Sequence, residues 1–193
     1  MALRFTETPT FIVTPRQTGI IVPYRSDCAS ATAGALAETH IRAKGPRMQV
    51  DFYHLTMAPL DRVLPSIAEK VVGSGGRLLI VAEDAALRTR IDQLLWSYSA
   101  ASFLPHAQAG GDWDADQPAL IADAVAPANG ARNIALVDGL WRDEALAFDR
   151  AFHMFDEESI GAARVAWRTL GERDGVERRY WRQDENGRWA QVA

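Results

Sequence analysis

The sequence predicts an α/β domain of three layers, with helices on both faces of a mostly parallel central sheet and an antiparallel C-terminal hairpin. From residue 48 onwards, short apolar runs alternate with helical stripes, which is typical of parallel strands joined by crossover helices. The run Leu78–Val81 is apolar at every position, as expected for a strand covered on both faces. Asn186-Gly187 separates two strand-like segments near the end of the chain, and this dipeptide favours a tight hairpin turn.

The first strand and helix of the domain are predicted from residues 50–55 and from a stripe of apolar side chains that ends at Gly73. Pro65 lies inside this stripe, and we expect it to limit where the regular helix can begin, because proline lacks a backbone N–H. Gly75-Gly76 then turns the chain into the next strand. The stripe consists of Leu60, Val63, Leu64, Ile67 and Val71.

A second helix is predicted after Leu78–Val81, with Asp84 as its N-terminal cap and its end near Trp96. Arg88 and Asp92 are spaced for an ion pair on its exposed side. The loop that follows, residues 97–106, contains more large apolar side chains than a connection needs, which favours a docking surface. The apolar stripe of the helix consists of Leu87, Ile91, Leu94 and Leu95. The large residues at the end of the helix and in the loop are Trp96, Tyr98, Phe103, Leu104 and Pro105.

The remaining elements follow from the same patterns. Residues 107–117 read as a polar, acidic linker, and residues 119–122 as a short apolar segment. Strands are expected within residues 133–137 and 148–155, a helix over residues 159–171, and the hairpin over residues 176–183 and 188–192.

Several of these segments resemble the chi subunit of bacterial DNA polymerase III, a protein of the clamp-loader assembly. The resemblance rests on the strand-to-helix run that leads to Leu95-Trp96 and on residues 102–106 beyond it. It extends over residues 48–193. The supporting segments, in order, are residues 50–53, residues 133–138, Ala163-Arg164 with Trp167, residues 180–184 and residues 187–189.

The resemblance implies a non-catalytic adaptor of the replicative DNA polymerase, a subunit of a DNA-directed DNA polymerase complex. Chi proteins bind the acidic C-terminal tail of single-stranded DNA-binding protein (SSB) through basic and aromatic residues, and the matching positions are Arg164, Trp167 and Arg168. The aromatic loop and its helix form the chi surface for the psi subunit, which connects chi to the clamp loader. The residues that this implies for the psi interface are Trp96, Phe103, Leu104 and Pro105.

Both candidate surfaces have alternative interpretations. Arg164, Trp167 and Arg168 share one side of a helix and fit an acidic, aromatic-ended peptide. Trp167, however, also continues a core-facing stripe, with the two arginines as its solvated flanks. If Trp96 and Phe103 serve only packing, we expect Trp96 to cap the core and Phe103 to fold under the sheet.

Composition limits the classes of function. The chain has 193 residues, a net charge of −4 and a pI near 5.6, so phosphate neutralisation is not its main activity, and we expect DNA to be contacted only indirectly. The lone Cys28 excludes an internal disulfide, and no apolar run approaches the roughly 20 residues of a membrane span. We expect a cytoplasmic protein without a membrane segment.

Residues 1–47 differ from the rest of the chain. Small residues without clear periodicity lead to a Gly-Pro breaker at residues 45–46. We expect an N-terminal extension, non-native or disordered, ahead of a chi-like domain over residues 48–193. The alternative is an accessory hairpin built from residues 11–13 and 19–22, and neither interpretation assigns a functional site there.

The rival function is an enzyme on a nucleotide-binding-like α/β fold, a nucleotidase or hydrolase. Its motifs are missing, because the glycine-rich residues 73–76 precede a strand, whereas a phosphate loop follows a strand and opens a helix. Ser102 and His106 are close in sequence but lack a third group to orient the base. The four histidines show no metal-ligand spacing. We therefore expect no catalytic residues, no metal and no cofactor.

Overall fold

The computed structural model describes residues 48–193 as an eight-stranded sheet with three α-helices. The extension expected over residues 1–47 lies outside the described residues. Two short 3₁₀ helices, Asp114–Asp116 and Asp143–Ala147, lie in connections. The strands and helices are β1 Met48–His54, α1 Leu60–Gly73, β2 Leu78–Val81, α2 Ala85–Ser97, β3 His106–Gln108, β4 Ala119–Ala122, β5 Asn133–Leu136, β6 Arg150–Phe155, α3 Ile160–Gly171, β7 Val176–Gln183 and β8 Trp189–Gln191.

The strand order in the sheet is β3-β4-β2-β5-β6-β1-β7-β8. All neighbouring pairs are parallel except β7 and β8, which form the antiparallel hairpin. The predicted fold class is therefore confirmed. Strand β3 was not predicted. It lies at the edge of the sheet, and a polar linker was expected over most of its residues. Its three residues pair with β4 from His106↔Ala119 onwards, so the neighbouring strand defines it rather than its own pattern.

Side chains from the two faces of the sheet form two separate cores. In β1, Val50 and Phe52 point towards α3, whose Ala163 and Leu170 close one core. Tyr53 points to the opposite face, because successive side chains of a strand alternate. The second core lies under α1 and α2 and contains Leu64, Ile67, Ile80, Ile91, Leu95 and Phe152. Helices thus cover both faces of the sheet, as a largely parallel sheet requires.

Helix α1 begins earlier than expected. It starts at Leu60, and Pro65 lies inside it and is buried. The proline costs one backbone hydrogen bond, but its ring packs where an apolar side chain is needed, so the helix continues through it.

Helix α2 begins as predicted, since the Asp84 carboxylate accepts a hydrogen bond from the Ala86 N–H at 3.0 Å. The predicted pairing of Arg88 with Asp92 is wrong. Arg88 Nη1 donates to the carbonyl oxygens of Ala82, at 2.8 Å, and Glu83, at 2.6 Å. These carbonyls follow the end of β2, so a tertiary contact replaces the local i, i+4 pair.

A buried carboxylate joins three neighbouring strands. Asp51 in β1 is fully buried and accepts hydrogen bonds from Arg150 Nε of β6 at 2.6 Å and Trp181 Nε1 of β7 at 2.8 Å. Gln49 of β1 donates a third, at 2.6 Å. A buried charge is tolerated when it is paired and hydrogen-bonded, and here its partners come from both strands that flank β1.

His153 in β6 is the least satisfied polar side chain of the core. It is fully buried, and neither ring nitrogen has a hydrogen-bond partner among residues 48–193. It lies 5.1 Å from Phe52 and 5.9 Å from Trp141, measured between ring centroids. Burial lowers the pKa of His153 to about 4, while Asp138 raises it and Arg142 lowers it to smaller extents. The imidazole is therefore neutral in the folded protein at neutral pH.

This histidine should make folding stability depend on pH below neutrality. Between pH 6.5 and pH 4 the unfolded chain binds a proton at His153 that the folded protein does not bind, so the free energy of unfolding falls as pH falls, by up to about 3 kcal/mol. The substitution His153→Phe removes this contribution and keeps an aromatic ring in the core. Urea unfolding of both proteins at several pH values across this window measures it, and equal pH slopes would contradict the assignment.

Candidate functional site

Helix α3 presents the predicted peptide-binding residues at the boundary between core and solvent. Ala163, Ala166 and Leu170 face inward and are buried, whereas Arg164 and Arg168 are exposed and Trp167 is half-buried. The three predicted residues thus share one side of the helix, as the i, i+3, i+4 spacing predicts.

Trp167 packs against the core, as one of the two sequence interpretations expects, and its ring also forms a wall of a cavity. Its ring meets Phe52 edge-on, with ring centroids 5.1 Å apart, and Tyr180 in the same manner at 6.1 Å. The Arg178 guanidinium lies 4.5 Å from the centre of the indole ring and donates a hydrogen bond to the Trp167 carbonyl. A cation at this position also suits the C-terminal end of α3.

The cavity beside Trp167 has a volume of about 280 Å³. Its walls are apolar and aromatic, and among residues 48–193 Arg164 is the only charged side chain that lines it. Arg168 lies one turn further along the helix and is not among the lining residues. The lining consists of Phe52, Phe155, Ile160, Ala163, Arg164, Trp167, Tyr180 and Ala193.

Tyr180 and Arg178 belong to this site although the sequence analysis did not single them out. Both come from β7 and are two residues apart, so they project to the α3 face of the sheet. The Tyr180 hydroxyl forms a hydrogen bond with His54 Nδ1 at 2.9 Å, and burial raises the pKa of Tyr180. Because successive side chains of a strand point to opposite faces, the strand predicted over residues 176–183 already indicates that Arg178 and Tyr180 share one face.

Gly171 makes room for the guanidinium that covers Trp167. A Cβ atom at Gly171 would lie 2.5 Å from Arg178 Nη1, well inside contact distance. The absence of a side chain at the end of α3 therefore lets Arg178 reach both the Trp167 ring and the Trp167 carbonyl.

The aromatic loop after α2 exposes two large side chains. Trp96 is 57% exposed and Phe103 is 72% exposed, and their ring centroids are 6.0 Å apart. Phe103 does not fold under the sheet, so the packing interpretation does not describe it. The Trp96 ring lies 5.0 Å from that of the buried His106, measured between ring centroids, so this residue also packs on the core. Leu104 differs from the expectation: it is 3% exposed and belongs to the core under α1 and α2. Pro105 is half-buried.

Hydrogen bonds to α1 fix the base of this loop. The Glu69 carboxylate accepts from the hydroxyl groups of Tyr98, at 2.6 Å, and Ser102. These bonds, that of Ser102 first, lower the pKa of Glu69. His106 Nδ1 lies 2.8 Å from the Leu104 carbonyl oxygen. The side chains of Ser102 and His106 thus bond to different partners and not to each other.

Residues 48–193 show neither a metal site nor a membrane-spanning helix. They contain no group of three or more His, Cys, Asp or Glu side chains placed to hold a metal ion. None of the helices in this part of the chain has the length and apolar character needed to cross a membrane.

Comparison with known proteins identifies the family. The model of the family described as "DNA polymerase III chi subunit, HolC" matches residues 48–177, which include β1 and every residue of α3. A search of curated proteins finds no match. Because the family model covers about two thirds of the sequence, including the aromatic loop and most of the cavity, the chain belongs to the DNA polymerase III chi subunit family.

Proposed function

We propose that this chi-family protein is an adaptor that links the clamp loader, through psi, to the C-terminal tail of SSB. Members of the family are non-catalytic accessory subunits of DNA polymerase III. The observation that carries the proposal is the cavity on α3, which combines apolar walls with Arg164 at its edge. The proposed adaptor acts in the cytoplasm as part of the polymerase holoenzyme.

The cavity fits the end of a peptide whose last residue is aromatic. A buried ring needs an apolar wall, which Phe52, Trp167 and Tyr180 supply. The terminal carboxylate beside that ring needs a planar donor with two N–H groups, and the Arg164 guanidinium supplies it. A volume of about 280 Å³ is small, near the lower limit of typical ligand sites, and thus suits one side chain rather than a long segment.

The charge distribution favours an acidic ligand at this face. Residues 164–188 contain seven arginines and five acidic residues, whereas residues 112–156 contain nine acidic residues and three arginines. Several of the C-terminal arginines are paired, for example Arg173 with Asp143. Arg164, Arg168 and Arg182 are exposed and have no side-chain hydrogen bond or ion pair within residues 48–193. These three groups attract acidic residues that precede the aromatic end of the peptide.

The aromatic loop is the proposed psi surface, with Trp96 and Phe103 as its anchors. Exposed aromatic side chains that lie together are typical of interface centres. The hydrogen bonds to Glu69 order the loop before a partner arrives, which reduces the entropy cost of binding. Leu104 supports the loop from the core and does not contact the partner.

The enzyme alternative receives less support from the geometry. The glycine-rich segment forms a turn in which Gly75 has a φ of 79°, and it precedes β2. It therefore lies at the amino end of a parallel strand, whereas ligands of such sheets bind at the carboxyl ends.

Titration calorimetry with a C-terminal SSB peptide tests the cavity. We expect micromolar affinity that weakens as salt rises, because a disordered tail is ordered and part of the attraction is screened. Amidating the terminal carboxylate should weaken binding about tenfold, and Arg164→Glu by a similar factor or more. Arg168→Glu should have a smaller effect, since Arg168 attracts the peptide from outside the cavity.

The matched control is Arg62→Glu, which changes the net charge equally but lies on α1, on the opposite face of the sheet. Its affinity should stay within about twofold of wild type. Equal affinities for the native and amidated peptides would show that α3 does not bind a free carboxylate.

Replacing Phe103 by Ala tests the loop. Because Phe103 is 72% exposed, the free energy of unfolding should change little, whereas binding of the psi subunit should weaken by about 2 kcal/mol if it is an anchor. Tyr98→Phe removes one hydrogen bond to Glu69 and leaves the anchors in place, so psi binding should weaken only by a few-fold. Pull-down and calorimetry with purified psi, together with urea unfolding, measure both effects, and unfolding of the Phe103 variant would assign this residue to the core instead.

A further inference from the structure

A large groove lies on the sheet face opposite the α3 cavity. It has a volume of about 830 Å³ and runs between α1 and the β7–β8 hairpin, with β1 and β6 as its floor. Helices α1 and α2 cover the core on this side, whereas the aromatic side chains of β1, β7 and β8 remain half-exposed beside α1. The groove is separate from the cavity, because neighbouring residues of β1, Phe52 and Tyr53, line the two on opposite faces.

One wall of the groove is a row of hydrogen-bond donors on α1. Arg62, Ser66 and Lys70 follow each other at intervals of four residues and are all exposed. Residues four apart lie on one side of a helix, so the row spans about 12 Å along its axis. Arg62 and Lys70 have no side-chain hydrogen bond or ion pair within residues 48–193.

The opposite wall and the adjoining floor are aromatic. Tyr53 and Trp181 are paired in register on β1 and β7, and their rings are stacked 6.1 Å apart at an angle of 11°. Trp189 of β8 meets Tyr53 edge-on at 5.1 Å. The three rings are half-exposed and come from three neighbouring strands.

The groove is cationic although the chain is acidic. Arg150 adds a third positive group to the floor, where its guanidinium lies 4.6 Å from the centre of the Phe152 ring. Arg150 pairs with Asp51, but its side chain is still 39% exposed. No aspartate or glutamate is among the side chains that line the groove in this part of the chain. The local positive charge therefore contrasts with the net charge of −4.

We infer that this groove binds single-stranded DNA. Cations along one wall and aromatic rings along the other match a polymer whose every unit carries both an anion and a ring, and strand-borne aromatics beside basic residues are a common platform for unpaired bases. An acidic peptide fits less well, since most of its residues carry charge without a ring. The inference goes beyond the adaptor function, because it gives the protein a direct contact with DNA on a different face.

Fluorescence anisotropy with a labelled oligothymidine at low salt tests the inference. Binding should be saturable. The logarithm of the affinity should fall with the logarithm of the salt concentration with a slope of about −1.4, as expected for the two unpaired cations Arg62 and Lys70 on a single strand. The double substitution R62E/K70E should weaken binding tenfold or more. Trp189→Ala should weaken binding at least about fivefold through lost stacking, with melting temperatures recorded to verify folding.

The matched control is the double substitution R164E/R168E, which changes the net charge by the same amount on the α3 face. It should leave oligothymidine binding within about twofold of wild type and should weaken binding of the SSB peptide more than tenfold, so the two proposals can fail separately. The inference would be overturned if oligothymidine binding were not saturable, or if the two double variants lost the same amount of oligothymidine affinity. It would also be overturned if a soluble acidic peptide with the same charge as the oligothymidine bound as tightly and displaced it. The last result would assign the groove to a protein ligand.

Discussion

The buried carboxylate of Asp51 is the interaction on which the arrangement of both surfaces depends. An ionised carboxylate in the interior costs several kcal/mol unless it is paired, and the partners of Asp51 come from the strands on either side of β1. Arg150 and Trp181 are therefore held at fixed positions relative to β1. Both side chains also line the groove beside α1, so the requirement to satisfy one buried charge places a cation and an aromatic ring where a ligand can meet them.

Alternation along β1 then divides the surfaces between the two faces of one sheet. Phe52 forms part of the α3 cavity and Tyr53 part of the groove, although they are adjacent in the chain. The strand is hydrogen-bonded to parallel neighbours on both sides, so a shift of β1 would disturb these hydrogen bonds and move both side chains together. The sheet therefore holds the cavity and the groove at a constant separation.

The sequence was sufficient for most of the strands and helices, because these depend on local periodicity, and for the hairpin, because it depends on Asn186-Gly187. It was insufficient where distant residues decide. The bonding of Arg88 and the strand at His106–Gln108 depend on neighbours that only the folded chain brings close. Spacing on α3 identified Arg164 and Trp167, but the remaining walls of the cavity come from β1, β6 and β7. Residue type alone could not separate exposed Phe103 from buried Leu104, since packing under α2 decides which of two adjacent apolar residues faces inward.

The missing side chain of Gly171 makes the surroundings of Trp167 depend on a residue that does not line the cavity. Since Arg178 occupies the space that a Cβ atom would need, even a change to alanine forces the guanidinium away from the Trp167 ring. The indole would then gain solvent on that side and lose the neighbouring positive charge, while Arg164 and the apolar lining stayed unchanged. A position that does not line the cavity can thus change the surroundings of its indole wall by the volume of one methyl group, while the lining residues stay the same.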